Sequence, residues 1–186
     1  MLIMSVTSNR TPAHIYKIVI AGPVGAGKTQ ATSVLSDKEI VSTEAKDSSA
    51  SNGDKQTITV AMDYGTMKLD SGAQVHIYGT PGHKRFDFMW DILSENALGL
   101  ILLISAEEAN PVAQLQSYLE SFMPLMQQNA VVVGITHTEN APADLHQRVS
   151  DYLMSINLSA EVMLVDARDR AQMLQVVQTL IGDIER

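Results

Sequence analysis

The chain has 186 residues, 45% of them hydrophobic and 18% charged, which excludes a disordered chain and fits one domain with a sizeable core. The formal net charge of −8 argues against nucleic acid or an anionic membrane as a main partner, and the absence of cysteine excludes disulfides. No apolar run approaches the ~18 residues of a membrane-spanning helix. We therefore expect a cytoplasmic protein without direct membrane insertion.

The first predicted elements are a strand over residues 15–21, a glycine-rich loop and a helix that ends near Leu35, and residues 1–14 are expected to be a flexible segment. The loop reads Gly-Pro-Val-Gly-Ala-Gly-Lys-Thr, which is the phosphate-binding P-loop pattern. Such a loop directs backbone N–H groups at phosphates, its lysine contacts the terminal phosphates, and its last hydroxyl binds Mg²⁺. The pattern predicts a nucleotide site made by Gly22, Gly25, Ala26, Gly27, Lys28 and Thr29, with Thr29 as a metal ligand.

The segment Ser36–Gln56 is rich in Ser, Asp, Lys and Glu and is predicted to be a long polar loop. A loop of about twenty residues in a compact domain is usually functional or disordered. Two strands follow, over residues 57–69 and 73–78, and the turn signal Asp-Ser-Gly between them predicts a hairpin. A second glycine-rich loop, Gly79–His83, comes directly after the second of these strands.

The rest of the chain alternates helices and strands: predicted helices cover residues 84–95, 111–126, 142–154 and 170–184, and predicted strands cover 97–104, 130–135 and 162–165. This alternation is typical of a parallel sheet covered by helices on both faces. The prediction is one α/β domain over residues 15–186, with a six-stranded, mostly parallel sheet that includes one antiparallel hairpin strand. Ligands of such sheets bind outside the carboxyl ends of the strands.

In order and content, the loops resemble those of the Ras-like small GTPases and, more narrowly, the bacterial MglA-like and conservon-type GTP-binding proteins. The motifs that carry the resemblance are Gly22–Thr29, Thr59–Gly65, Gly79–His83, Phe86–Trp90, Thr136–Glu139 and Asp166–Arg168. The resemblance covers residues 15–184. It implies a Ras-like P-loop fold, GTP or GDP with Mg²⁺ as the bound species, and slow GTP hydrolysis.

The resemblance also implies two switch segments, Ser36–Gln56 as switch I and residues 79–95 as switch II. A threonine at the end of switch I would close on Mg²⁺ and the γ-phosphate; Thr57 and Thr59 both fit, Thr59 is favoured, and both can equally be ordinary strand residues. The backbone N–H of Gly82 would meet the γ-phosphate. Gly79 stands where most GTPases carry a magnesium-binding aspartate, which leaves the site one carboxylate poorer unless Asp63 lies close enough to help.

For catalysis, the resemblance places His83 where it would orient the attacking water; the alternative is a surface histidine at a helix start. Phosphoryl transfer depends on positioning and charge stabilisation, which an imidazole can provide. Arg85 can be read as an arginine finger but fits better as a solvated helix residue. We therefore expect slow hydrolysis that depends on a partner.

The base-reading loops are the last part of the resemblance. Thr136-His137-Thr138-Glu139 occupies the place of the guanine-reading Asn-Lys-x-Asp motif. Glu139 would accept hydrogen bonds from guanine, Thr136 would tie the loop to the P-loop, and His137 would pack on the base. In the final loop, Asp166 and Arg168 flank Ala167, whose backbone N–H would meet the base oxygen.

The switch II helix has more apolar residues than one buried stripe needs, which favours an exposed patch for protein regulators or effectors, with ordinary packing as the alternative. Those residues are Phe86, Phe88, Met89, Trp90, Ile92 and Leu93. The resemblance implies that one partner is a roadblock-type dimer. Two other functions stay open: a pseudo-GTPase scaffold that binds partners without turnover, and an ATP-using P-loop protein.

Overall fold

One seven-stranded sheet forms the centre of the protein in the computed structural model, which describes residues 14–47, 58–82, 87–126 and 129–186. The strands are β1 (Ile15–Ala21), β2 (Val41–Asp47), β3 (Ile58–Lys68), β4 (Gln74–Gly79), β5 (Gly99–Ser105), β6 (Ala130–Thr136) and β7 (Glu161–Leu164). The helices of the described residues are α1 (Lys28–Leu35), α2 (Asp87–Ser94), α3 (Pro111–Met126), α4 (Leu145–Ser155) and α5 (Arg170–Ile184). The predicted flexible segment lies outside the described residues, apart from residue 14.

The strand order across the sheet is β2-β3-β4-β1-β5-β6-β7. Strand β3 runs antiparallel to both of its neighbours, and the pairs from β4 to β7 are parallel. This arrangement confirms the predicted α/β fold with one antiparallel hairpin strand. Because the parallel strands share a direction, their carboxyl ends bring the loops that follow them to one edge of the sheet.

The predicted number of strands was wrong by one, because part of the polar segment 36–56 is a strand and not a loop. Strand β2 pairs with β3 from Val41 opposite Tyr64 to Asp47 opposite Ile58. An edge strand needs hydrogen bonds along only one side and tolerates charged residues, so it carries little of the apolar alternation that marks inner strands. Pairing with the next strand, β3, determines the structure of this segment.

The core consists of two layers, one on each face of the sheet. On β1, Ile18 and Ile20 face the layer that includes α1 and α5, while Val19 and Ala21 face the layer of α2, α3 and α4. All four side chains are fully buried, which explains the continuous apolar runs of the central strands. Within the described residues, no helix is both long enough and apolar enough to cross a membrane.

Candidate functional site

The P-loop lies between the central strand β1 and helix α1. Gly22, Gly25 and Gly27 have positive φ angles of 144°, 83° and 92°. Gly27 is the N-cap of α1, and a Cβ there would lie 2.8 Å from the Cβ of Ala167, so glycine lets the two loops touch. No side chain caps the start of α1. Its first N–H groups can therefore bind a phosphate.

Lys28 is almost fully buried beneath this loop. Its Nζ donates a hydrogen bond of 2.7 Å to the carbonyl of Pro23. Burial lowers the pKa of Lys28 to about 8, and the nearby Asp63 carboxylate partly opposes that shift. A phosphate oxygen is a stronger acceptor for an ammonium group than a carbonyl, so a bound phosphate can replace Pro23 as its partner.

Asp63 connects the P-loop to the sheet. The hydroxyl of Thr29 donates to Asp63 Oδ2 at 2.5 Å, and the hydroxyl of Ser42 on β2 donates to Oδ1 at 2.6 Å. Asp63 is only 3% exposed, and in the β3–β4 pairing it lies directly opposite Gly79. A Cβ on Gly79 would lie 3.2 Å from the Cβ of Asp63. The carboxylate missing at residue 79 is therefore present on the adjacent strand.

These groups suit Mg²⁺, which prefers hard oxygen ligands and is usually held by one or two protein groups together with phosphate oxygens and water. The buried Asp63 carboxylate and the Thr29 hydroxyl provide such oxygens beside the phosphate loop. No group of three or more His, Cys, Asp or Glu side chains forms a metal cluster in the described part of the chain. Thr57 lies outside the described residues, and for Thr59 the structure describes the backbone in β3 only.

The loop after β4 lies against the P-loop. A Cβ on Gly82 would be 2.7 Å from the backbone nitrogen of Val24 and 2.8 Å from Lys28 Nζ. Two aromatic side chains donate hydrogen bonds to the backbone of this loop. Trp90 Nε1 donates to the carbonyl of Pro81 at 3.1 Å, and the Tyr118 hydroxyl donates to the carbonyl of Gly82. Burial raises the pKa of Tyr118 to about 12, so the hydroxyl keeps its proton.

His83 and Arg85 lie outside the described residues. Of the six apolar residues in the predicted patch, Phe86 and Phe88 have side chains outside the described part of the structure, and Met89 is half-buried. Trp90 and Leu93 are buried in the core, while Ile92 is 66% exposed. Trp90 packs on Tyr118 and Phe122, with ring centroids 5.3 and 4.7 Å away. Trp90 and Tyr118 therefore join the loop after β4 to the core.

The loop after β6 is bound to the P-loop by one buried hydroxyl. Thr136 Oγ1 lies 3.1 Å from the carbonyl oxygens of Ala26 and Ile104. His137 adopts a left-handed conformation with φ of 54°, and its Nδ1 lies 3.0 Å from Thr136 Oγ1 and 3.2 Å from Ser105 Oγ. Sequence reasoning anticipated the tie made by Thr136 but missed Ser105. A polar residue at the end of β5 was the signal available.

A cleft of about 230 Å³ opens beside this loop, and its lining includes Gly27 of the P-loop and charged side chains of the two loops that follow β6 and β7. Glu139 stands on a short 3-10 turn, Thr138–Asn140. Arg168 Nη2 lies 3.3 Å from Glu139 Oε1 and 2.8 Å from Asp166 Oδ2. The hydrogen bonds from Arg168 lower the pKa of Asp166 to about 2. The cleft is lined by Gly27, Gln30, Thr136, His137, Thr138, Glu139, Val165, Asp166, Ala167 and Arg168.

Replacing Thr136 by valine is expected to lower the free energy of unfolding by about 1–3 kcal/mol, because the change keeps the shape of the side chain and removes a buried hydrogen bond. Chemical denaturation of both proteins measures the difference. Thr66→Val is the matched control, because Thr66 uses only backbone atoms in its hydrogen bonds with Ser36. Equal losses in the two variants would contradict a special role for the Thr136 hydroxyl.

The fold and this loop cluster define a P-loop NTPase. Residues 34–137 match the model of a family described as "Conserved hypothetical ATP binding protein". That range is more than half of the chain, so the protein belongs to this family. The matched range begins after the P-loop, and the family match and the P-loop together support nucleotide binding.

Two individual proteins are also similar. The uncharacterized protein MJ1339 of Methanocaldococcus jannaschii is 32% identical over 92 residues, which are 50% of this chain and 52% of that protein. The chain thus spans about half the length of this curated relative. The crystal structure of the bacterial selenocysteine-specific elongation factor EF-Sec is similar with a TM-score of 0.65 and 18% identity, over 92% of this chain and 28% of that chain. At this identity the likeness shows the fold alone.

Proposed function

We propose that the protein is a GTP-binding molecular switch of the MglA-like type that hydrolyses GTP slowly with Mg²⁺. The observation that carries this proposal is the cleft that runs from Gly27 to the carboxylate of Glu139. A carboxylate accepts two hydrogen bonds from the N1–H and N2–H donors of guanine. Adenine presents an acceptor, N1, at the corresponding edge.

In the proposed complex, residues Gly22–Thr29 surround the phosphates and Lys28 neutralises their charge. Thr29 and the switch I threonine, Thr59 or Thr57, would hold Mg²⁺, with Asp63 supplying the carboxylate. The metal would neutralise negative charge on the phosphates. At the other end, His137 and the Ala167 N–H would contact the base, while Thr136 keeps the two halves of the site together through the carbonyl of Ala26.

For hydrolysis, we assign His83 to orient a water molecule toward the γ-phosphorus. The water oxygen bonds to the γ-phosphorus as the bond from that atom to the β–γ bridging oxygen breaks. The attacking water gives one proton to a phosphate oxygen, and GDP and inorganic phosphate leave. The Gly82 N–H would stabilise charge on the γ-phosphate, which is how preorganised donors accelerate such reactions. Since no arginine is assigned to the transition state, the unassisted reaction is expected to be slow.

The output of the proposed switch is a change in switch I and switch II when the γ-phosphate is lost. Protein regulators or effectors, including a roadblock-type dimer, would bind near α2, where Ile92 offers an exposed apolar side chain. One domain over residues 15–186, in a cytoplasmic setting, fits this role. The chain has no cysteine, as suits a reducing compartment.

A second candidate is an ATP-using P-loop protein, and the description of the matched family favours it. The charged rim allows this reading, because Glu139 can accept a hydrogen bond from an adenine amino group while Arg168 donates to a ring nitrogen. A pseudo-GTPase, which binds nucleotide or partners without turnover, is the remaining alternative to the proposed switch.

Isothermal titration with GDP and ADP, each with and without Mg²⁺, tests the proposal. We expect micromolar or tighter GDP binding, ADP binding at least tenfold weaker, and tighter binding in the presence of Mg²⁺. Equal affinity for the two nucleotides would contradict the guanine assignment and favour ATP use. Selective binding of guanine without multiple-turnover phosphate release from GTP would identify a pseudo-GTPase.

A further inference from the structure

Arg168 links the two carboxylates at the rim of the cleft. Its Nε and Nη2 make a two-pronged contact with Asp166, at 2.9 and 2.8 Å, and its backbone N–H donates to the same carboxylate at 2.9 Å. The same Nη2 reaches Glu139 Oε1 at 3.3 Å. Asp166 thus fixes the guanidinium to its own loop, and the guanidinium extends from there to the turn that carries Glu139.

We propose that Arg168 is a positioning residue that sets the selectivity of the site for guanine, by holding the Glu139 carboxylate at the rim of the cleft. This inference rests on the proposed function, because it requires Glu139 to read the base. It assigns a role to the ion-pair chain from Asp166 through Arg168 to Glu139, and not to any single charge.

Glu139 needs such a partner because its side chain is 64% exposed and has three rotatable bonds. An exposed glutamate samples many rotamers in water, and fixing one of them on binding costs conformational entropy. A carboxylate that is already held in place avoids part of that cost, so it binds its ligand more tightly. The aspartate usual at this position has one methylene fewer and less freedom to lose.

The contact also leaves room for the base. A carboxylate offers about four lone-pair sites, and Arg168 approaches only Oε1 of Glu139, at 3.3 Å. The planar fork of the arginine meanwhile satisfies Asp166, whose negative charge would otherwise face that of Glu139. Guanine can therefore donate to Glu139 while the ion pair persists.

The three side chains lie at the surface, where ion pairs contribute little to folding. Loss of Arg168 is thus expected to change binding and not stability. The test compares wild type, Arg168→Ala and Arg168→Lys by titration with GDP, IDP and ADP. The base of IDP lacks only the N2 amino group of guanine, so the GDP-to-IDP ratio reports how well Glu139 is aligned. A structural defect would lower all three affinities equally.

In Arg168→Ala, we expect GDP affinity to fall at least tenfold, ADP affinity to change less than twofold, and the GDP-to-IDP ratio to approach one. Arg168→Lys keeps the charge but loses the fork, so it should restore selectivity only in part. The matched control is Arg186→Ala, which removes an exposed arginine paired with Asp183 at 2.9 Å near the end of α5. This control should bind all three nucleotides like wild type.

Unchanged GDP selectivity in Arg168→Ala would overturn the inference while leaving the proposed function intact. An equal loss of GDP, IDP and ADP affinity would also overturn it, because Arg168 would then support the site as a whole. Equal binding of GDP and ADP by the wild-type protein would instead overturn the proposed function, and the inference with it. The wild-type titrations therefore distinguish the two failures.

Discussion

Replacing Asp63 by asparagine is expected to reduce the gain in GDP affinity that Mg²⁺ provides by about 10- to 100-fold, the usual effect of losing a carboxylate that supports a metal site. The variant keeps the size of the side chain, but it loses the negative charge beside Thr29. In the wild-type protein, the hydroxyls of Thr29 and Ser42 donate to the two carboxylate oxygens of Asp63, at 2.5 and 2.6 Å. In the variant, an amide nitrogen replaces one of these oxygens and cannot accept the hydrogen bond.

Calorimetry with Mg²⁺ and with a chelator measures this gain for wild type and variant. Asp183→Asn is the control, because Asp183 lies on α5 and pairs with Arg186. A sharper version exchanges the two paired residues, Asp63→Gly together with Gly79→Asp. Since these residues lie opposite each other in the β3–β4 pairing, the exchange returns a carboxylate to nearly the same place and should restore part of the gain. An Asp63→Asn protein with wild-type Mg²⁺ dependence would disprove this role.

The position of Asp63 beside Gly79 can be predicted from the register of the β3–β4 hairpin. The sequence Asp-Ser-Gly at residues 70–72 predicts the turn, and in the structure this turn pairs Lys68 with Gln74. Counting back along an antiparallel pair from this turn places Asp63 opposite Gly79, because side chains in a regular ladder keep their register. The sequence therefore suffices to predict that Asp63 neighbours Gly79. It does not predict the hydrogen bonds that Asp63 accepts from Thr29 and Ser42.

Local signals predicted the elements with strong periodicity or clear ends. The bounds of α3 and α5 agree with prediction. Pro111 fits the first turn of α3. The structure adds that Asp169 caps α5 by accepting from the N–H groups of Ala171 and Gln172. Strand β2 had no such signal. Its structure depends on pairing with β3, a non-local interaction that propensity does not encode.

The side chains that support the loops were harder to predict than the motifs. Tyr118 holds the carbonyl of Gly82 from α3, and Ser105 approaches His137 from the end of β5. Each pair is separated by more than thirty residues and joined only by the packing of the fold. A motif marks the groups that contact a ligand, because their spacing is local. It does not mark the residues that hold those groups in place.

Replacing Gly82 by alanine is expected to lower kcat for GTP hydrolysis by about 10²–10³-fold, which is the cost of removing one well-placed hydrogen-bond donor. A Cβ there would lie 2.7 Å from the backbone nitrogen of Val24, and backbone cannot move aside cheaply. The loop would therefore shift from the P-loop and carry the Gly82 N–H away from the γ-phosphate. GDP affinity should fall far less than kcat, since GDP has no γ-phosphate for the Gly82 N–H to contact.

Multiple-turnover phosphate release measures this loss. The matched control is Gly182→Ala on α5, where a Cβ meets nothing within 4 Å. This variant should keep the wild-type kcat and gain about 0.5–1 kcal/mol of stability, since alanine favours helix over glycine. A Gly82→Ala protein that hydrolyses GTP at the wild-type rate would remove Gly82 from the proposed mechanism.

The fluorescence of Trp90 tests whether Gly82 also transmits the nucleotide state to α2. It is the one tryptophan of the chain, and its Nε1 donates to the carbonyl of Pro81, next to Gly82. If the Gly82 N–H donates a hydrogen bond to the γ-phosphate, the adjacent peptide moves relative to Trp90 and Tyr118, which are hydrogen-bonded to this loop. The fluorescence emission of Trp90 should then differ between the GDP complex and the complex with a non-hydrolysable GTP analogue. In Gly82→Ala this difference should vanish together with hydrolysis. If the difference persists while hydrolysis is lost, the Gly82 N–H serves the reaction alone, and another contact transmits the nucleotide state to α2.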